Sequence, residues 1–155
     1  MQIRKLTKHD RQAVLDMMVV FYASDALLIH PEKKVLEKTL DDCLADGPYL
    51  EGFVMELDAE VIGYALAAKS YSTEAGGPCV WLEDIYLKSS HCGKGYGTAF
   101  LRFFEEHYKD SAVRLRLEAE PENRRAMAAY EKAGYQVLGY TQMVRELTRS
   151  GNEGK

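Results

Sequence analysis

VWLEDIYLKSSHCGKGYGTAFL, residues Val80–Leu101, decides the fold. Val80–Leu87 combines β-branched, aromatic and aliphatic residues, the composition of a central strand. The polar stretch KSSH follows, and then the glycine-rich CGKGYG, Cys92–Gly97. Behind it, Leu101, Phe104 and Tyr108 share one face of a helix expected from about Thr98 to Tyr108. Glycines let a backbone turn sharply and expose several N–H groups, and a helix behind them adds its positive end, so the loop suits a phosphate. The same residues serve equally as a tight strand-to-helix turn. The loop is neither a Walker A motif nor a dinucleotide fingerprint, because its spacing is G-x-G-x-G.

On the C-terminal side, Val113, Leu115 and Leu117 alternate with Arg114, Arg116 and Glu118 as in a strand. A helix is expected from about Asn123 to Ala133, stopped by Gly134. Two closing strands are expected near Tyr135–Gly139 and Thr141–Leu147, with residues 148–155 as a disordered tail. On the N-terminal side, Met1–Leu6 reads as a short strand, and Thr7 with Asp10 resembles a capping box. Val14, Met17, Met18 and Phe21 then define an amphipathic helix over Asp10–Tyr22. Pro31, with Val35, Leu36, Leu40 and Leu44 behind it, opens a second helix ending near Gly47, and Ala23–His30 is a loop or broken helix. GFVMEL and VIGYALAAK flank Asp58-Ala59-Glu60 as a β-hairpin, and Ser70–Pro78 reads as a mobile connection. The order is β-α-α-β-β-β-α-β-α-β-β, a mixed α+β chain.

Composition narrows the function. At 155 residues, with 46% hydrophobic and 28% charged residues, the chain is sized for one globular domain, expected over residues 1–147. Twenty basic against 24 acidic residues leave a net charge of −4, which argues against a general nucleic-acid surface. No apolar run is long enough to span a bilayer, and MQIRKLTKHD has no apolar stretch behind its charges, so neither a membrane partner nor a secretory signal is expected. Cys43, Cys79 and Cys92 show no Cys-x-x-Cys spacing, and His9, His30, His91 and His107 form no i, i+4 pair. The expectation is a reduced, cytoplasmic protein without a metal.

A second motif lies 26 residues beyond Gly97: Asn123-Arg-Arg-Ala126, then Tyr130, then Gly134-Tyr135. Alone it is a helix with an ordinary C-cap and a core aromatic. Together, LEDIYL with GKGYGTAFL and NRRAMAAYEKAGY resemble the signature strand, pyrophosphate loop and following motif of the GNAT N-acetyltransferase superfamily. The resemblance covers essentially the whole chain. Within the superfamily, the WLEDIYL stretch looks most like the diamine (spermidine/spermine) acetyltransferase branch.

The resemblance implies a single domain with a mixed, mostly antiparallel sheet of about seven strands flanked by four helices. It implies acetyl-CoA as cosubstrate, with backbone groups of Ile85 and Leu87 (flanking Tyr86) pairing with the pantetheine arm. The pyrophosphate would meet the backbone of Gly93, Lys94, Gly95, Tyr96, Gly97 and Thr98. Asn123 would bond the pantetheine region, Arg124 to Ala126 would line the same wall, and Arg124 or Lys132 would meet the other phosphates. Tyr130 would stand near the sulfur and protonate or hydrogen-bond the departing thiolate. One departure is clear: Cys92 occupies the position where the family's loop usually begins with Arg or Gln, and the Pro and acidic residues common before that loop are missing from KSSH. Cys92 is also the one candidate covalent carrier, and its place beside the pyrophosphate is too far from the thioester.

An alkylamine has a pKa of about 10 and arrives as an ammonium, so a carboxylate or His must take its proton, directly or through water. The resemblance gives that role to Glu83; the plainer alternative has Glu83 facing solvent or holding Arg114 or Arg116. Acceptor recognition is expected from Asp25 within Ala23–His30, from Glu118 and from the Ser70–Pro78 loop. The chain is expected to acetylate a primary amine of a small molecule, polyamine-like, by direct transfer in a ternary complex. A regulatory module that binds acyl-CoA without turnover, and an acetyltransferase of peptide or lysine amines, are the alternatives. The family resemblance is also compatible with a homodimer formed through sheet edges or the last strands.

Overall fold

The computed structural model describes residues 1–24 and 29–147. Its centre is a five-stranded sheet in the order β1-β2-β3-β4-β5, comprising β1 (Gln2–Lys5), β2 (Leu50–Leu57), β3 (Glu60–Ser72), β4 (Gly77–Leu87) and β5 (Arg114–Leu117). β1 to β4 pair antiparallel, and β5 joins β4 in parallel after a crossover through a helix. The helices are α1 (Arg11–Tyr22), α2 (Lys33–Leu44), α3 (Tyr96–Tyr108) and α4 (Arg124–Lys132).

The sheet buries both faces, and alternation along each strand divides the side chains between two layers. Val54, Tyr64 and Leu66 turn toward α1 and α2, against Val14, Met18, Leu36 and Leu40. Phe53, Met55, Val80 and Leu82 turn the other way, against Phe100, Leu101, Phe104 and Tyr108 of α3. Tyr130 and Ala133 of α4 pack against this second layer. Gly63 is demanded by close approach: a Cβ there would stand 2.5 Å from the Tyr86 carbonyl oxygen and 2.9 Å from the Met55 side chain.

At the N-terminal entry the Asp10 carboxylate accepts from the Thr7 backbone N–H at 3.0 Å and its hydroxyl at 2.7 Å, so the Thr7–Asp10 motif forms, around a short 3₁₀ turn at Lys8–Asp10 that leads into α1. Arg4 donates to both Asp10 oxygens at 2.8 Å. These bonds hold the Asp10 carboxyl down at about 2, from an ordinary 3.8, with the Arg4 bond the largest cause.

Three expectations are corrected. The two closing strands near Tyr135–Gly139 and Thr141–Leu147 are not formed, so the sheet has five strands rather than about seven, while the α+β class holds. β5 offers a ladder of only four residues, and the segment's apolar side chains find no layer to cover them: Val137 is 76% and Met143 94% exposed. Strand pattern without a partner surface does not make a strand. Ser70–Pro78 is not a long connection, because β3 runs to Ser72 and β4 starts at Gly77, leaving a tight turn with Gly76 at positive φ. Helix α3 begins at Tyr96, two residues ahead of the expected Thr98. The expectations for Asp25 and for residues 148–155 lie outside the described residues.

Candidate active site

β4 and β5 part company midway. Their parallel pairing runs from Cys79↔Arg114 to Leu82↔Leu117 and stops there. From Glu83 to Leu87 the β5-facing edge of β4 has no strand beside it among the described residues, an open edge of roughly 16 Å. Lys88 N–H donates to the Ile62 carbonyl of β3 at 2.9 Å. Successive residues of a strand direct their backbone groups to opposite neighbours, so Leu87 and Ile85 present theirs to the open edge and Tyr86 turns back to β3. A ligand arm with amide groups can pair there as an added strand does.

A bulge sits at the head of this edge. Leu66 pairs with Asp84 and Ala67 with Leu82, so Glu83 is the extra residue with no partner on β3. The insertion resets the alternation, and Glu83 and Asp84 come to the same face, that of α1 and α2. Asp84 is buried and accepts from the Tyr22 hydroxyl at 2.7 Å and the Tyr64 hydroxyl at 3.1 Å. Burial pushes its carboxyl up, and the two tyrosine bonds offset part of that. Glu83 takes no hydrogen bond or ion pair from any described residue, so it is not tied to Arg114 or Arg116. Solvent reaches its outer side. The protein around it still strips enough water to raise its carboxyl above the ordinary range, and the neighbouring charges of Glu118 and Asp84 push the same way. Glu118 directly follows the last residue of β5 and flanks the opening.

The open edge leads into the glycine loop. Gly93 and Gly95 have φ of +80° and +84°, a region that side-chain-bearing residues rarely adopt. Gly95 caps α3, no side chain caps that terminus, and Ala99 N–H makes the first i→i−4 bond, to Gly95 O at 2.9 Å. The N–H groups of Tyr96, Gly97 and Thr98 are therefore free donors at the positive end of a 13-residue helix. Lys94 lies exposed between the glycines. Cys92 is exposed too, its thiol donating to the Leu87 carbonyl at 3.7 Å.

α4 supplies the opposite wall. Asn123 Oδ1 accepts from Ala126 N–H at 3.1 Å, so this oxygen caps α4 and only the Asn123 amide NH₂ remains to donate elsewhere. Tyr130 is half-buried, edge-on to Tyr135 with ring centres 6.2 Å apart, and burial raises its phenol so that the proton stays on at neutral pH. Arg124 and Lys132 are exposed. Of the Arg124–Ala126 stretch expected along this wall, Arg125 is the residue that reaches the glycine loop: its Nη2 stands 3.1 Å from where a Cβ on Gly93 would be. A pair of adjacent arginines on a short helix reads as a solvated face, and both are exposed; only the placement of α4 shows which one reaches the loop. The Thr73–Gly76 turn, in contrast, stands roughly 20 Å along β4 from Glu83, so the Ser70–Pro78 segment is not brought to this opening.

The open strand edge runs into an uncapped glycine loop, with a carboxylate at its start and free backbone donors at its end, groups that suit a long ligand carrying amides and phosphate. Comparison with known proteins agrees. The family model for the acetyltransferase (GNAT) family matches residues 15–135, and the chain belongs to this family. It is 39% identical over 79 residues to the thialysine N-epsilon-acetyltransferase of Bos taurus, an alignment covering 50% of this chain and 46% of that protein. The chain spans about half the length of the curated relatives it matches. Its fold is that of a possible acetyltransferase from Clostridium difficile 630, with a TM-score of 0.82 at 19% identity over 96% of this chain and 98% of that one. It is likewise similar to AAC(6')-Iy in complex with the bisubstrate analogue CoA-S-monomethyl-acetylneamine, with a TM-score of 0.77 at 18% identity over 95% and 98% of the two chains. Among the described residues no helix is long and apolar enough to cross a membrane, and no cluster of His, Cys, Asp and Glu could hold a metal.

Proposed function

We propose that the chain is an N-acetyltransferase that moves an acetyl group from acetyl-CoA directly to the primary amine of a small molecule in a ternary complex. One observation carries the reading: the unpaired edge of β4 begins at a carboxylate with no side-chain partner among the described residues, Glu83, and ends at the uncapped N–H groups of α3. The relatives support it, since a thialysine N-epsilon-acetyltransferase and an aminoglycoside N-acetyltransferase both take amines as acceptors by name.

The residues present fit the cosubstrate. Ile85 and Leu87 would hold the pantetheine amides, the backbone from Gly93 to Thr98 the pyrophosphate, and the Asn123 amide the far wall of the arm. Arg124, Arg125 and Lys132 would neutralise phosphate charge, as guanidinium and ammonium groups do. Acetyl-CoA supplies a thioester carbonyl for attack. Glu83 takes a proton from the acceptor ammonium, directly or through one water, and frees the lone pair that forms the new N–C bond. Backbone N–H of the strand near Leu87 polarises the carbonyl. As the C–S bond breaks, Tyr130 gives its phenolic proton to the leaving sulfur. Glu118, beside Glu83, draws the cationic acceptor in.

The test is thiol release from acetyl-CoA over a panel of polyamines, amino acids, aminoglycosides and lysine peptides, with Tyr130→Phe and Glu83→Gln alongside. Turnover on a small amine, depressed in both variants, supports the reading. Silence across the panel with acetyl-CoA binding intact would turn it into a sensor, and unchanged turnover in both variants would remove the assigned roles.

A further inference from the structure

Arg116 stands on β5 opposite Trp81 of β4, its guanidinium carbon 4.7 Å from the centre of the indole ring. Trp81 alternates with the core residues Val80 and Leu82, and Arg116 with Leu115 and Leu117. The pair therefore lies on the face that carries Glu83 and Glu118. Glu83 is two residues further along β4, roughly 7 Å away, and Glu118 is two residues beyond Arg116, just past the end of β5.

The surrounding charges are already engaged. Arg114 donates to Glu74 Oε2 at 2.8 Å, and the Tyr140 hydroxyl donates to the other Glu74 oxygen at 2.9 Å. Glu74 feels the charge of Arg116 but bonds Arg114. Arg116 has no carboxylate partner among the described residues. The indole shields one side of the guanidinium from water and leaves its N–H groups without a carboxylate, so that they can take a planar anion. Phosphates held at the glycine loop are out of reach, because Leu87 alone is roughly 20 Å along β4 from Trp81.

We infer that Arg116, held on Trp81, receives a carboxylate of the acceptor, so that the acceptor is an amino acid-like molecule with its reacting amine between Glu83 and Glu118. A short aliphatic spacer links the two ends. The inference rests on the acetyltransferase reading above and narrows its acceptor: a polyamine would bring a like charge to Arg116, which the site disfavours.

L-lysine and its decarboxylated diamine, cadaverine, share a spacer and a terminal amine and differ by the carboxylate. Thiol release at saturating acetyl-CoA gives kcat/KM for each with the wild type, Arg116→Lys and Arg116→Gln. The wild type is expected to prefer lysine by at least tenfold, the scale of a charge-assisted pair. Arg116→Gln abolishes that preference through the lysine KM, and Arg116→Lys keeps part of it, having the charge without the fork. A wild-type preference for cadaverine overturns the inference, as does a preference that Arg116→Gln leaves in place. A loss shared equally by both amines also overturns it, since it would mean that Arg116 only props Trp81. Transfer to aminoglycosides or peptides but to neither of the pair overturns it while the acetyltransferase reading stands; transfer to no amine at all removes both.

Discussion

The two ends of the sheet treat their polar groups in opposite ways. At the β1 end, Arg4 donates to Asp10 at 2.8 Å and to Glu56 at 2.6 Å, Arg11 to Asp41 at 2.7 Å, and Lys5 to Asp46 at 2.7 Å. At the β4–β5 opening, Glu83, Glu118, Arg116 and Arg125 have no ion-pair partner among the described residues, and a run of backbone donors is left free. Asp10 is buried, and a charge near the core is retained cheaply only when it is paired; the surface pairs Lys5–Asp46 and Arg11–Asp41 add little to stability. At the second end, Glu83, Glu118 and Arg125 face solvent, and what is left unpaired beside them is the backbone edge of β4.

The contrast breaks most sharply at Glu83. Glu83→Gln is expected to lower kcat by roughly 10²-fold or more, the usual worth of a general base, with little change in melting temperature. Thermal denaturation beside steady-state kinetics checks both halves of that statement. Asp10→Asn is the mirror image: it should cost about 2 kcal/mol of stability in a urea titration while leaving kcat in place, because it strips Arg4 of its buried partner. The sign follows from the lowered carboxyl. Its stabilisation is full above the ordinary 3.8 and is lost as pH falls toward about 2, so the variant should show a weaker acid dependence of stability than the wild type across that window.

Arg125→Ala sharpens the comparison at the glycine loop. The acetyl-CoA KM should rise roughly tenfold, and the effect should shrink with added salt, as expected for a lost phosphate contact. The smallest effect is expected from Glu118→Gln. Removing its charge lowers the Glu83 carboxyl, so the acidic limb of the kcat/KM profile should move to lower pH. A limb that stays put would uncouple the two carboxylates.

The elements whose pattern is local were legible in the residues. The i, i+3, i+4, i+7 spacing of Val14, Met17, Met18 and Phe21 defines α1, and the glycine loop with Leu101, Phe104 and Tyr108 places α3 within two residues. What stayed hidden depends on pairing between distant segments. The bulge at Glu83 exists only in register with Leu66 and Ala67 of β3, and the opening exists because β5 stops pairing after four residues. Residues 136–147 alternate like strands but lie exposed and unpaired, and Arg125 reaches the glycine loop because α4 packs beside α3. The residues of the family motifs were readable one by one. Their assembly along one open edge was not.

The most direct test of this account is the pH dependence of thiol release from acetyl-CoA with an amine acceptor, compared between the wild type and Glu83→Gln. The account requires a wild-type rate that climbs with pH through a value above the ordinary carboxylate range, and a variant that has lost both the rate and that limb. A Glu83→Gln variant turning over at the wild-type rate, with the same profile, would contradict it.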